Sequence, residues 1–78
     1  MFFQKRKRKM IGVEGMHCDN CALRIKKALE ELSDVEKVNV DLKKKMVIVF
    51  YDNTVDELLL QKVIEDLGYT VTGMKEIH

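Results

Sequence analysis

The chain has 78 residues, 46% of them hydrophobic and 35% charged, and a net charge of +1. That length supports one domain with a small core, and the balance of apolar and charged residues excludes a disordered segment. No apolar run approaches the ~20 residues needed to span a bilayer, and the start, Met1-Phe2-Phe3-Gln4, carries no secretion-signal pattern.

The expected location is therefore cytoplasmic, where thiols stay reduced. The small net charge conceals an asymmetry. Lys5-Arg6-Lys7-Arg8-Lys9 supplies five positive charges, which leaves nine Lys/Arg against thirteen Asp/Glu in residues 10–78. Such a run can attract nucleic acid or anionic lipid, and Phe2 and Phe3 beside it allow weak adsorption to a membrane surface. One short arm anchors weakly, so residues 1–9 are expected to form a solvated, flexible terminal arm ahead of a domain over residues 10–78.

From Met10 the pattern organises. Met10-Ile11-Gly12-Val13-Glu14 alternates as a first strand with Ile11 and Val13 facing inward. Gly15 frees the backbone for a turn that carries both cysteines of the chain. A first helix is expected from Asp19 to Leu32, with Cys21, Ile25, Ala28, Leu29 and Leu32 at helical spacing and Arg24, Lys26, Lys27, Glu30 and Glu31 outside. Residues 35–42 read as a second strand, and Lys43-Lys44-Lys45 as an exposed hairpin turn. The third strand, Met46 to Tyr51, is apolar on both faces, more than a sheet covered on one side requires. Thr54-Val55-Asp56-Glu57 has the spacing of a capping box with Thr54 at the cap. Leu60, Val63, Ile64 and Leu67 then form the buried stripe of a second helix that ends at Gly68. Tyr69-Thr70-Val71-Thr72 is a short final strand. This β-α-β-β-α-β order, with right-handed crossovers, predicts an α+β ferredoxin-like sandwich: a four-stranded antiparallel sheet with two helices on one face.

The chemistry concentrates in Gly15-Met16-His17-Cys18-Asp19-Asn20-Cys21. Two cysteines three apart at a loop-to-helix junction lie on one side of a turn, so their sulfurs can converge on a single atom. Free backbone N–H groups and the positive end of the helix dipole favour thiolate there. A convergent pair of soft anions suits either a soft metal ion or disulfide exchange.

The same stretch, with Ile25 and Leu29 after it, Val35, Val38 and Val40 in the second strand and Ile64-Glu65-Asp66-Leu67-Gly68-Tyr69 closing the second helix, resembles the heavy-metal-associated domain family over about residues 10–75. The resemblance implies Cu(I) binding by a soluble carrier, with Cys18 and Cys21 as ligands and transfer to a copper-transporting P-type ATPase or its metal-binding domains. Two thiolates suit a soft ion of low coordination number, whereas Zn(II) favours four ligands. The resemblance further implies that Met16 points into the core and braces the loop rather than ligating. It also places Tyr69 beside the metal, where its hydroxyl supports the negatively charged site, and marks the chain as the bacterial type. His17 is expected to face solvent, with accessory ligation or charge tuning as the alternative. His78 is assigned no role. Arg24 and Lys27, one turn apart near the thiols, are expected to dock against an acidic patch on the partner. A metal-bridged homodimer sharing four thiolates is chemically natural.

Other classes fit less well. Mercury-binding relatives share the motif but carry a secretion signal, which leaves Hg(II) capture as the alternative cargo. Zinc-pump domains place a carboxylate before the first cysteine, where this chain has His17. A dithiol-disulfide oxidoreductase of thioredoxin type depends on a cis-proline, and this chain has no proline; no enzyme is expected. An RNA-recognition domain needs several stacking aromatics on the open sheet face, and Phe50 is the one aromatic expected there, so no specific nucleic acid is expected.

Overall fold

The computed structural model describes residues 7–52 and 54–77. Residues 1–6 of the expected arm and His78 lie outside the described residues. The elements follow as β1 (Lys7–Glu14), α1 (Asp19–Glu30), β2 (Lys37–Asp41), β3 (Met46–Tyr51), α2 (Glu57–Asp66) and β4 (Thr70–Ile77). The strands form one antiparallel sheet in the order β2-β3-β1-β4. The sandwich expected from the pattern is the fold observed.

Alternation along the strands decides which face is covered. Ile11 and Val13 of β1, Val38 of β2 and Val47, Val49 and Tyr51 of β3 are buried together with Ile25 and Leu29 of α1 and Leu60 and Ile64 of α2. Full burial of each of these aliphatic side chains stabilises the fold by roughly 1.5–3 kcal/mol. The polar Arg24, Lys27 and Glu30 of α1, and Glu31 at its C-cap, are exposed. The Glu30 carboxylate turns back to accept from the Val38 backbone N–H at 3.2 Å, which ties the end of the helix to the start of the edge strand β2.

Several boundaries differ from expectation, among them those of β2, which covers Lys37–Asp41 within the expected 35–42. The first strand starts at Lys7, three residues early, so Lys7, Arg8 and Lys9 belong to the sheet and not to an arm. Lys9 takes a core-facing position in step with Ile11 and Val13 and is only 4% exposed, because Glu57 and Glu76 pair with its ammonium group. The first helix stops at Glu30, with Leu32 packed against the core just beyond it. The second helix begins at Glu57 and is capped by Asp56, whose carboxylate accepts from Leu58 N–H and Leu59 N–H at 3.0 and 3.3 Å; Thr54 is not the cap. A shorter acidic side chain directly before the helix satisfies two free donors and suits the dipole, and Glu57 is drawn to Lys9 instead.

The last strand runs to Ile77, five residues beyond the expected end. Gly12 pairs with Gly73 but Val13 pairs with Val71, so Thr72 is an extra residue in a bulge. The bulge allows Val71 and Met74, three apart, both to pack against the core. That spacing breaks the period-two signal by which a strand is recognised.

Candidate metal centre

Two left-handed glycines build the turn and what lies over it. Gly15, at φ 102°, lets the chain leave β1 and double back toward α1. A Cβ there would sit 3.2 Å from Cδ1 of Tyr69, so the tyrosine ring lies against the turn. At the end of α2, Gly68 has φ 99°. Its N–H bonds to the Glu65 carbonyl at 2.9 Å and the Tyr69 N–H to the Ile64 carbonyl at 3.4 Å, the paired bonds of a Schellman motif. Tyr69 is thus delivered to the cysteines by the way its helix ends.

Cys18 is the N-cap of α1, with extended backbone and no side-chain capping bond. Its carbonyl accepts from Cys21 N–H and Ala22 N–H at 3.1 and 3.2 Å, which starts the helix. Its thiol remains exposed and meets the half-buried Cys21 thiol at a sulfur–sulfur distance of 3.6 Å. Both are free thiols.

The pair is electrostatically uneven. The Tyr69 hydroxyl donates to the Cys21 sulfur, and backbone N–H of His17, the Cys18 thiol and the Cys18 backbone add further hydrogen bonds. Against a smaller opposing effect of burial, they lower the Cys21 thiol from its ordinary 9.0 to about 7. Donors that stabilise the thiolate are the cause. The Tyr69 hydroxyl moves the other way: the bond to Cys21 and burial raise its pKa, and the nearby Arg24 cation partly offsets them.

The expected site residues sort accordingly. Met16 is 6% exposed and belongs to the core cluster under the turn. Tyr69 bonds to Cys21. The His17 side chain is exposed, and the residue acts through its backbone amide, a contribution that its identity does not reveal. Arg24 and Lys27 are both exposed and, with Asn20 and Leu23, line a surface depression on α1. Leu23, 48% exposed, was not signalled by the buried-face spacing. Its mark in the sequence is an apolar residue standing outside that stripe, beside two cations. Among the described residues no cluster of three or more His, Cys, Asp or Glu side chains is arranged to hold a metal ion. No helix among them is long and apolar enough to cross a membrane.

A ferredoxin-like sandwich presenting two free thiols at the first loop-to-helix junction defines a class of small metal-binding carrier domains. The chain belongs to the heavy-metal-associated domain family, whose pattern matches residues 11–70. It is 45% identical over 64 residues to the copper chaperone CopZ of Staphylococcus haemolyticus, which covers 81% of this chain and 94% of that protein. It is 36% identical over 66 residues to a probable copper-importing P-type ATPase A of Enterococcus hirae, across 85% of this chain but 9% of the ATPase. The solved structure of a CopZ metallochaperone superposes with a TM-score of 0.80 at 33% identity, covering 83% of this chain and 98% of that one. The heavy-metal-associated domain is itself a non-enzymatic metal-binding carrier, which argues against the oxidoreductase alternative.

Proposed function

We propose that this domain is a Cu(I) carrier that holds one ion between Cys18 and Cys21 and passes it by ligand exchange to a copper-transporting P-type ATPase. The observation that supports this reading most directly is the pair of free sulfurs 3.6 Å apart at the mouth of the turn, with no third His, Cys, Asp or Glu among the described residues arranged to join them. Two thiolates satisfy a soft monovalent ion and leave a Zn(II) site half empty. The similarity to copper chaperones and to a copper ATPase supports the choice of cargo and of partner.

Transfer follows from exposure. A partner thiolate reaches the ion past Cys18 and forms a third copper–sulfur bond. One of the original bonds then breaks, a second partner thiolate repeats the exchange, and each released sulfur takes a proton from solvent or stays ionised. The Tyr69 hydroxyl and the Arg24 cation offset the net negative charge of a Cu(I)-dithiolate, and Met16 holds the turn from below. Arg24 and Lys27 steer an acidic partner face toward the thiols, and Leu23 gives that contact an apolar centre.

The test is anaerobic titration with Cu(I) against a competing chelator, with Zn(II) and Hg(II) in parallel. One tight Cu(I) equivalent is expected, lost in both Cys18→Ser and Cys21→Ser, with Zn(II) far weaker. Absence of such a site, or its survival in both variants, defeats the proposal. Preference for Hg(II) over Cu(I) at equal competitor strength reassigns the cargo. Mixing loaded protein with an isolated ATPase metal-binding domain then tests transfer.

A further inference from the structure

The sheet face turned away from the helices is patterned in a way that metal transfer does not require. Cross-strand register sets Ile77, Arg8, Phe50 and Lys37 side by side in one row, and Lys75, Met10, Ile48 and Asn39 in the next. Arg8, Lys37 and Lys75 are exposed, and Met10, Ile48, Phe50 and Ile77 are half-exposed. Cations and apolar side chains therefore alternate across the broad end of the sheet. Among the described residues none of these three cations makes an ion pair, although ion pairs form elsewhere on the domain. The acidic residues of this face, Glu14 and Asp41, lie toward the opposite end, where Glu14 pairs with Lys45 and Asp41 accepts from Lys44 N–H.

We infer that this face docks the domain onto an anionic lipid bilayer. Lys and Arg side chains that lie along apolar surface can keep their charges at the headgroups while neighbouring Met, Ile and Phe side chains enter the acyl boundary. Such a surface needs mixed apolar and cationic character but no pocket. A second copy is disfavoured, because it would set three unpaired cations against three more. Single-stranded nucleic acid finds only Phe50 to stack on among the described residues of this face. The cysteine turn follows the far end of β1, so vesicle binding and metal binding can fail independently.

The experiment is co-sedimentation of the reduced full chain with vesicles of phosphatidylcholine alone and of equimolar phosphatidylcholine and phosphatidylglycerol, at about 50 and about 500 mM salt. Binding to the anionic vesicles alone is expected, weakened by salt. The combined Arg8→Gln, Lys37→Gln, Lys75→Gln variant is expected to bind on the order of a hundredfold more weakly, at about fivefold per cation. The combined Lys43→Gln, Lys44→Gln, Lys62→Gln variant, with the same change of charge elsewhere, is expected to bind as wild type. The chain has no tryptophan, so Phe50→Trp gives a single reporter whose emission is expected to shift to the blue on anionic vesicles. Equal losses in the two triple variants, an unshifted Phe50→Trp emission, or binding to an oligonucleotide or polyglutamate in place of vesicles each overturns the inference.

Discussion

Lys9 reaches Glu57 across the core side of the sheet, joining the first strand to the first turn of α2. The lysine is buried and the glutamate is 60% exposed, so the two partners are unequal. Glu76 stands 3.9 Å from the same ammonium group, and the Tyr51 ring centroid lies 5.9 Å away. Burial pulls the Lys9 pKa down, but the Glu57 hydrogen bond, Tyr51 and Glu76 together raise it above its ordinary 10.5.

Removing either partner is therefore expected to have different consequences. Lys9→Met replaces a buried cation with an apolar chain of similar length and frees Glu57 into water, so urea unfolding should place it within about 1 kcal/mol of wild type. Glu57→Ala strands the buried ammonium on Glu76 alone and should cost about 1–3 kcal/mol. Since the folded pKa of Lys9 is raised, its contribution is fully present below pH 10.5 and fades as pH climbs through the folded value. The stability of wild type should fall more steeply on that alkaline limb than that of Lys9→Met.

The bond from Tyr69 to Cys21 gives a second outcome. Tyr69→Phe removes the largest influence on the Cys21 thiol and should return its pKa from about 7 part of the way toward 9.0. Thiolate absorbance near the far ultraviolet, or alkylation rate against pH, reads the shift in the metal-free protein. Because the folded pKa is depressed, ionisation of Cys21 adds stability that is complete above pH 9.0 and is lost as pH falls through about 7. Between those limits the wild type should gain on Tyr69→Phe as pH rises.

Helix α2 supplies a third. Asp56→Ala removes the acceptor of two backbone donors and should cost about 1 kcal/mol, whereas Thr54→Ala should change stability by less than about 0.5 kcal/mol. The opposite ranking in chemical denaturation would restore Thr54 as the cap.

These cases show where the sequence was legible. Period-two and helical spacing placed the core aliphatic residues of the strands and helices, because burial acts on side chains that the pattern displays directly; Val35 enters the core from the loop before β2, out of step with that alternation. The cysteines, Met16 and Tyr69 were legible through motif and resemblance. What escaped depends on partners remote in sequence: Lys9 enters the core because Glu57 and Glu76 arrive beside it, and Glu57 leaves the expected box because Lys9 claims it. Strand β4 escaped for a local reason, since the bulge at Thr72 replaces alternation with a three-residue step. The part played by His17 was hidden because a backbone amide carries no signature of its side chain.

The last outcome joins helix ending to site chemistry. Gly68 holds φ 99° with no atom within 4 Å of where a Cβ would stand, so Gly68→Ala meets no clash and bears backbone strain alone, about 1–2 kcal/mol. The Schellman bonds that fix Tyr69 depend on that conformation. If the helix end relaxes to relieve the strain, the tyrosine moves off Cys21, and the alkylation profile of the thiol should shift in the direction of Tyr69→Phe. If the strain is retained, the profile should stay in place and the full loss should appear in urea unfolding. Measuring both on one variant shows whether the cysteine turn takes its electrostatics from the loop itself or from the way α2 stops.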